Sequence, residues 1–181
     1  MASAATTMVK FGLPLIAPPN ARLFILGSLP GDASLAVRCY YAHPTNQFWR
    51  LLEQALGENL GAVSYEERLA TLARRRIGLW DVIASANRRG SLDQSIRGAE
   101  PNPLDRLLDE FPHVRAIAFN GAAAASAGRR LISVRPGLTL IDLPSSSAAN
   151  TRPFAQKVAA WAALTKYAAP EHLPEAASAP Q

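Results

Sequence analysis

Gly27–Trp49, GSLPGDASLAVRCYYAHPTNQFW, joins the end of an apolar run to the start of an amphipathic helix. Immediately upstream, Arg22–Leu26 (RLFIL) is a short apolar run stopped by Gly27, the pattern of a strand buried on both faces. Downstream, from Thr45, the period changes: Phe48, Leu51, Leu52, Ala55 and Leu56 share one helical face before Gly57 closes it. The stretch is a strand-to-helix connection, and the rest of the chain repeats that unit.

Ser64 and Glu67 have capping-box spacing and open a second helix through Leu69, Leu72 and Ala73. It ends in Arg74, Arg75 and Arg76, which either complement the helix dipole or contact phosphate. Ile77–Ala84 (IGLWDVIA) reads as one strand interrupted by Asp81, a charge that needs a partner or a job at a buried strand end. The segment SANRRGSLDQSIRGAE reads as a long loop carrying Arg88, Arg89 and Arg97. Asn102 and Pro103 fit the N-cap and first position of a short helix through Leu104, Leu107 and Leu108. Val114–Phe119 is the third strand, turned by Asn120 and Gly121 into an alanine-rich helix. Leu138–Leu143 is the fourth, followed by Pro144, Ser145, Ser146 and Ser147 and a last helix with Phe154, Val158, Trp161 and Leu164. Strand and helix alternate four times without an internal repeat, which predicts a layered α/β domain with a mainly parallel sheet. In such sheets ligands bind beyond the carboxyl ends of the strands. Four polar groups fall there: the Gly27–Gly31 turn, Asp81, Asn120 and Ser145–Ser147.

Composition sets the outer limits. The 181 residues suffice for one domain with a sizeable core: an extended lead-in over 1–20, a domain over 21–169 and a disordered tail over 170–181 are expected. No apolar run approaches the about 20 residues of a membrane helix, and the proline-broken N-terminus lacks a signal-peptide core, so a cytoplasmic protein is expected. Cys39 is the only cysteine, which excludes an internal disulfide, a four-cysteine zinc site and an all-cysteine iron–sulfur cluster. Chemistry without metal or other cofactor is the expectation. A net charge of +5 and a pI near 9.9 suit a polyanionic partner.

GSLPG followed by YYAHPTNQFW, with LPSSSAAN near the far end, closely resembles the two signature motifs of the uracil-DNA glycosylase superfamily, in order. GLWDVIASANRRGSLD and AFNG are most similar to its hypoxanthine-DNA glycosylase (deoxyinosine glycosylase) branch, and the resemblance runs from about Phe11 to Trp161. It implies a single-domain three-layer α/β sandwich around a central four-stranded parallel sheet. The implied activity is monofunctional excision of a deaminated base from DNA, hypoxanthine first, with uracil or a mismatched base as the alternative substrate. The implied partner is damaged DNA, bound by a monomer.

A glycosylase must extrude the nucleotide, which needs grips on the flanking phosphates. Serines and backbone N–H groups at Pro144, Ser145, Ser146 and Ser147, the turn of Gly27, Pro30 and Gly31, and Arg88 are the candidates. The plainer role for PSSS is a helix N-cap. Tyr41 stands where the superfamily places the ring that stacks on the extruded base; Tyr40 is either a second such ring or core, and Phe48 and Trp49 read as packing residues. Bond cleavage passes through an oxocarbenium-like sugar with charge growing on the departing base. Many members handle the attacking water with an Asp or Asn two residues after the first motif glycine, but here that position is Leu29, and Ser28 is a weak base without a partner. The resemblance to the hypoxanthine branch transfers that role to Asn46, whose amide orients water without taking its proton; its alternative is an N-cap. His43 either polarises the base or shapes the turn. Asp81 matches a base-reading position, its carboxylate accepting from a base N–H, and Asn120 either reads the base or terminates its strand. His113 and His172 receive no role.

The competing reading is a catalytically weak DNA-binding homologue, motivated by Leu29. A serine hydrolase fits badly, since GSLPG is not the G-x-S-x-G elbow and no Ser, His and acid series is apparent. No lysine lies in the motifs, so the expected product is an abasic site without strand cleavage. Ala148 and Ala149 are too small to fill the vacated duplex position, so a filling side chain is expected from another loop.

Overall fold

The computed structural model describes residues 9–170. In chain order the elements are β1 (Val9–Phe11), β2 (Leu23–Gly27), α1 (Asp32–Val37), α2 (Phe48–Leu56), α3 (Tyr65–Arg74), β3 (Ile77–Asp81) and β4 (Ile83–Asn87). They continue with β5 (Arg97–Pro101), α4 (Leu104–Glu110), β6 (Ala116–Asn120), α5 (Ala122–Gly128), β7 (Thr139–Leu143) and α6 (Phe154–Trp161). Four strands form the expected central sheet, in the order β3-β2-β6-β7 and parallel throughout.

The central strands explain the three layers. Every residue of β2 is buried, and alternate side chains enter different cores. Leu23 and Ile25 pack with Phe48, Leu51 and Leu52 of α2, Leu72 of α3 and Trp161 of α6. Phe24 and Leu26 pack with Leu104, Leu107 and Leu108 of α4 and Ala124 and Ala125 of α5. Each such side chain contributes about 1.5–3 kcal/mol by leaving water, so the two apolar faces of β2 commit helices to both sides. The alanines of α5 bring that helix close to the sheet, and a Cβ at Gly128 would collide with the Phe119 ring.

The helix ends follow local chemistry. The Ser64–Glu67 capping box is present, and Gly57 ends α2 in the left-handed region at φ 68°. Asn102 departs from expectation. Pro103 is the N-cap of α4, because the Asn102 amide turns back to donate to the Asp81 backbone carbonyl (2.8 Å).

The middle of the chain departs from expectation in two places. Ile77–Ala84 is not one strand: it breaks at Val82, and β4 leaves the central sheet for a second, antiparallel sheet of order β1-β4-β5. The segment read as a long loop is largely β4, a 3-10 turn at Asp93–Ser95, and β5. Its strands hid because they lack an apolar face; all five residues of β5 are exposed. The six-residue α1, inside the opening stretch, was likewise unmarked by apolar period.

The lead-in is structural from Val9 onward. β1 pairs with β4, and Ile16 exchanges backbone hydrogen bonds with Leu79 (3.0 and 2.7 Å), closing the free edge of β3. Apart from Pro170, the expected tail lies outside the described residues, as does His172. Among the described residues no helix is long and apolar enough to cross a membrane.

Candidate active site

The carboxyl ends of the four parallel strands bring together the groups singled out in sequence. Gly27 lies beside Asp81 in the β2–β3 register, and Asn120 beside Leu143, the residue before Pro144, in the β6–β7 register. The break at Val82 follows from this end of β2: the Val82 N–H donates to Gly27 O (2.8 Å) and the Ile83 N–H to Ser28 O (3.0 Å).

Gly27 is required by what faces it. A Cβ there would lie 2.7 Å from Asp81 Oδ1 and 3.2 Å from the Tyr41 hydroxyl. Asp81 is 3% exposed, and its Oδ2 has no hydrogen-bond partner. Burial pushes its pKa up to about 7, opposed by the Tyr40 hydroxyl and then Arg88, with Asp93 adding to the rise. The Tyr41 hydroxyl is buried without a partner as well; burial, then Asp81, raises its pKa.

Tyr41 is held in the left-handed region at φ 56°, which sets its ring parallel to Phe48 at 3.6 Å between centroids and 6° between planes. Phe48 is in turn held edge-on by Trp49 and Trp161. Tyr40 is core: it is 2% exposed and donates to the Leu13 and Pro14 carbonyls.

Asn46 and His43 shape the turn into α2. The Asn46 Oδ1 accepts from the Phe48 N–H (2.9 Å), although Gln47 is the N-cap proper. His43 is exposed and its Nδ1 accepts from the Thr45 N–H (3.2 Å), which in the neutral ring leaves the proton on Nε2. Leu29 is absent from the cluster because its side chain is 5% exposed in a small core with Ile83 and Ala86.

Asn120 is latched to Ser146 at both ends of its amide: Nδ2 donates to Ser146 Oγ and Oδ1 accepts from Ser146 N–H, each at 2.8 Å. One N–H and one lone pair of the amide are left over. Ser146 is 1% exposed and its carbonyl accepts from Gln47 N–H (2.9 Å), whereas Ser145 and Ser147 are half-buried. The serine loop does not cap a helix, since α6 begins only at Phe154.

Arg88 is turned inward. It is 2% exposed, and its guanidinium donates to the carbonyls of Leu29 (2.8 Å), Pro30 and Gly90 (3.1 Å). It clamps the glycine turn from behind and offers no exposed donor. Arg74, Arg75 and Arg76 sit at the amino end of β3, across the sheet from this cluster, where Arg74 and Arg75 pair with Glu58 (3.3 and 3.1 Å).

Two functional neighbours went unassigned in sequence. Ser28 Oγ donates to Asp93 Oδ1 (2.6 Å), a carboxylate delivered by the β4–β5 loop, and no spacing rule links positions so far apart. Lys157 is fully buried, and its Nζ donates to Gln47 Oε1 (2.9 Å), Asn150 O (2.8 Å) and Ser147 O (3.4 Å). Burial lowers its pKa, with Arg152 contributing. Here a signal existed: Lys157 falls between Phe154 and Trp161 on the inward face of α6. No group of three His, Cys, Asp or Glu side chains suited to a metal occurs among the described residues.

Over 160 residues the chain is 41% identical to a hypoxanthine DNA glycosylase of Methanosarcina acetivorans, covering 88% of this chain and 100% of the relative. It is 39% identical over 159 residues to a hypoxanthine DNA glycosylase of Methanosarcina barkeri, covering 88% and 99%. A solution NMR structure of a candidate uracil DNA glycosylase from M. acetivorans superposes with a TM-score of 0.78 at 41% identity, covering 88% of this chain and 98% of that one. The profile of the uracil DNA glycosylase superfamily matches residues 14–165, and the chain belongs to that superfamily.

Proposed function

We propose that this protein is a monofunctional DNA glycosylase that flips a deaminated base out of the duplex and hydrolyses its N-glycosidic bond, with hypoxanthine as the first substrate. The observation that carries the reading is the buried, unpartnered Asp81 Oδ2 at the carboxyl end of β3. A polar atom left so is costly unless a ligand completes it. Hypoxanthine and uracil both present an N–H beside a carbonyl, and the leftover N–H of Asn120 serves that carbonyl while Asp81 accepts the N–H. The relatives at 41% and 39% identity, both hypoxanthine DNA glycosylases, support hypoxanthine as the preferred base.

The remaining roles follow from what each atom has free. Tyr41, backed by Phe48, is a rigid stacking platform. Asn46 has one amide oxygen position committed to the helix, so it orients water and donates through Nδ2 to the departing base. The Nε2–H of His43 is a second donor for that charge, and Ser28 supports the water. Ser145 and Ser147, with Pro144 and Gly31, form the phosphate-facing rim; Ser146, Gly27 and Pro30 are buried behind it and hold its backbone, and Arg88 stiffens it from inside. The protein acts without a cofactor, as a monomer, in the cytoplasm.

Strand scission after alkali treatment of a duplex carrying one deoxyinosine tests the reading; an uncut strand with deoxyinosine and with deoxyuridine alike would sink it. Lys157 spends its ammonium protons on three carbonyl oxygens, so its amine is not free to attack the sugar. The product is an abasic site, and a borohydride-trapped adduct would refute that step. The burial of Leu29 favours one competing reading, a DNA-binding homologue with little catalysis. Asn46→Ala separates the two: in an enzyme the single-turnover rate drops about 100-fold or more while DNA affinity persists.

A further inference from the structure

Extruding a nucleotide leaves a gap in the base stack, and proteins that open stacks commonly insert an apolar side chain to fill it. The serine loop offers only Ala148 and Ala149 at its exposed tip. Large exposed apolar side chains among the described residues are few: Val9 and Phe11 on β1, Val37 at the end of α1, Val134, and Leu92.

Leu92 differs from the others in what holds it. It lies at the tip of the β4–β5 loop, 60% exposed, between exposed polar neighbours Ser91 and Asp93. The tip is fastened to the glycine turn from several directions. Arg88 clamps Leu29 and Pro30, Ser91 Oγ accepts from Asp32 N–H (2.9 Å), and Ser28 donates to Asp93 (2.6 Å). Lys10 bridges Asp32 and the Gly90 carbonyl. The Leu92 carbonyl itself accepts from the Ser95 N–H (3.1 Å) and hydroxyl (2.8 Å). An isolated exposed leucine needs no explanation, but this one sits on a backbone pinned beside the site and ringed by polar groups.

Resting on the glycosylase reading above, we infer that Leu92 is the side chain that enters the duplex and occupies the space the extruded nucleotide leaves. Its partner is the base stack itself, so its contribution exists only where a stack must be opened. Opening a base step is costly, and a leucine filling the gap offsets part of that cost.

The test compares substrates with and without that cost, under single-turnover conditions. Leu92→Ala is expected to slow excision of hypoxanthine from a paired duplex about 30-fold, while excision from a deoxyinosine held in an unpaired bubble stays within about threefold of wild type. Leu92→Phe, which restores an apolar wedge, is expected to recover most of the duplex rate. A 2-aminopurine next to the lesion should brighten with wild type and stay dark with Leu92→Ala. Equal losses on both substrates, an unchanged duplex rate, or a duplex-specific loss appearing in Val37→Ala instead would overturn the inference. If wild-type protein excises hypoxanthine from neither substrate, the glycosylase reading itself fails, and the 2-aminopurine signal still decides whether Leu92 opens the stack.

Discussion

At the scale of single residues, Asp81 carries both recognition and a measurable cost. Its pKa is raised from 3.8 to about 7 because a carboxylate is buried without a partner for one oxygen. The folded protein therefore holds a proton that the unfolded chain releases, and the sign follows from linkage. The stability contributed by this group is fully present below pH about 4 and is lost as pH rises through about 7. Asp81→Asn, neutral at all pH, should flatten that slope and raise the thermal midpoint at pH 8 while slowing excision. Melting curves of both proteins from pH 5 to 9 check this; parallel pH profiles would contradict it. Leu29 and Asp81 also show what single residues reveal in sequence. A charge in an apolar strand announced itself, whereas the burial of Leu29 with Ile83 and Ala86 depends on a second sheet that no local pattern marked.

Among the elements, α6 ties the two halves of the site together. Lys157 reaches from it to Gln47, at the start of α2, and to the carbonyls of Ser147 and Asn150 in the serine loop. Both segments place proposed site residues, one holding Asn46 and the other Ser145–Ser147. Lys157→Met keeps the volume but leaves buried oxygens unsatisfied, at about 1–3 kcal/mol each, partly offset by removing a buried charge. A net loss of about 1–3 kcal/mol in urea unfolding is expected, with excision falling further than DNA affinity. Equal loss of rate and affinity would reduce Lys157 to packing. The central strands were legible as short apolar runs, α2 and α6 by their periodic apolar faces, α3 by its capping box and α5 by its alanines. The antiparallel sheet was not: its strands β4 and β5 are short, small or exposed, and their identity comes from hydrogen bonds to β1 and to each other.

For the whole molecule, the lead-in proves to be part of the architecture. Ile16 closes the β3 edge, β1 supplies the third strand of the second sheet, and Lys10 holds Gly90 at the loop tip. Deleting residues 1–17 should lower unfolding free energy by about 2–4 kcal/mol, through lost apolar burial and unpaired edge groups. It should also weaken duplex excision through the loosened tip. Urea midpoints and excision rates of the shortened chain measure both; an unchanged midpoint would show that the edges need no cover.

The break at Val82 has a consequence for how this molecule can change over evolution or by design. A strand that leaves one sheet to found another places everything that follows, up to Asn102, on a hairpin that leaves and rejoins the central sheet at one place, since Asn102 returns to bond Asp81 and Val82. Both cores of the central sandwich are closed without that hairpin. Residues of its tip that make no bond to the glycine turn can be exchanged like a tool head, altering how the lesion is approached, while Arg88, Ser91 and Asp93 must stay to keep the tip seated on the sandwich.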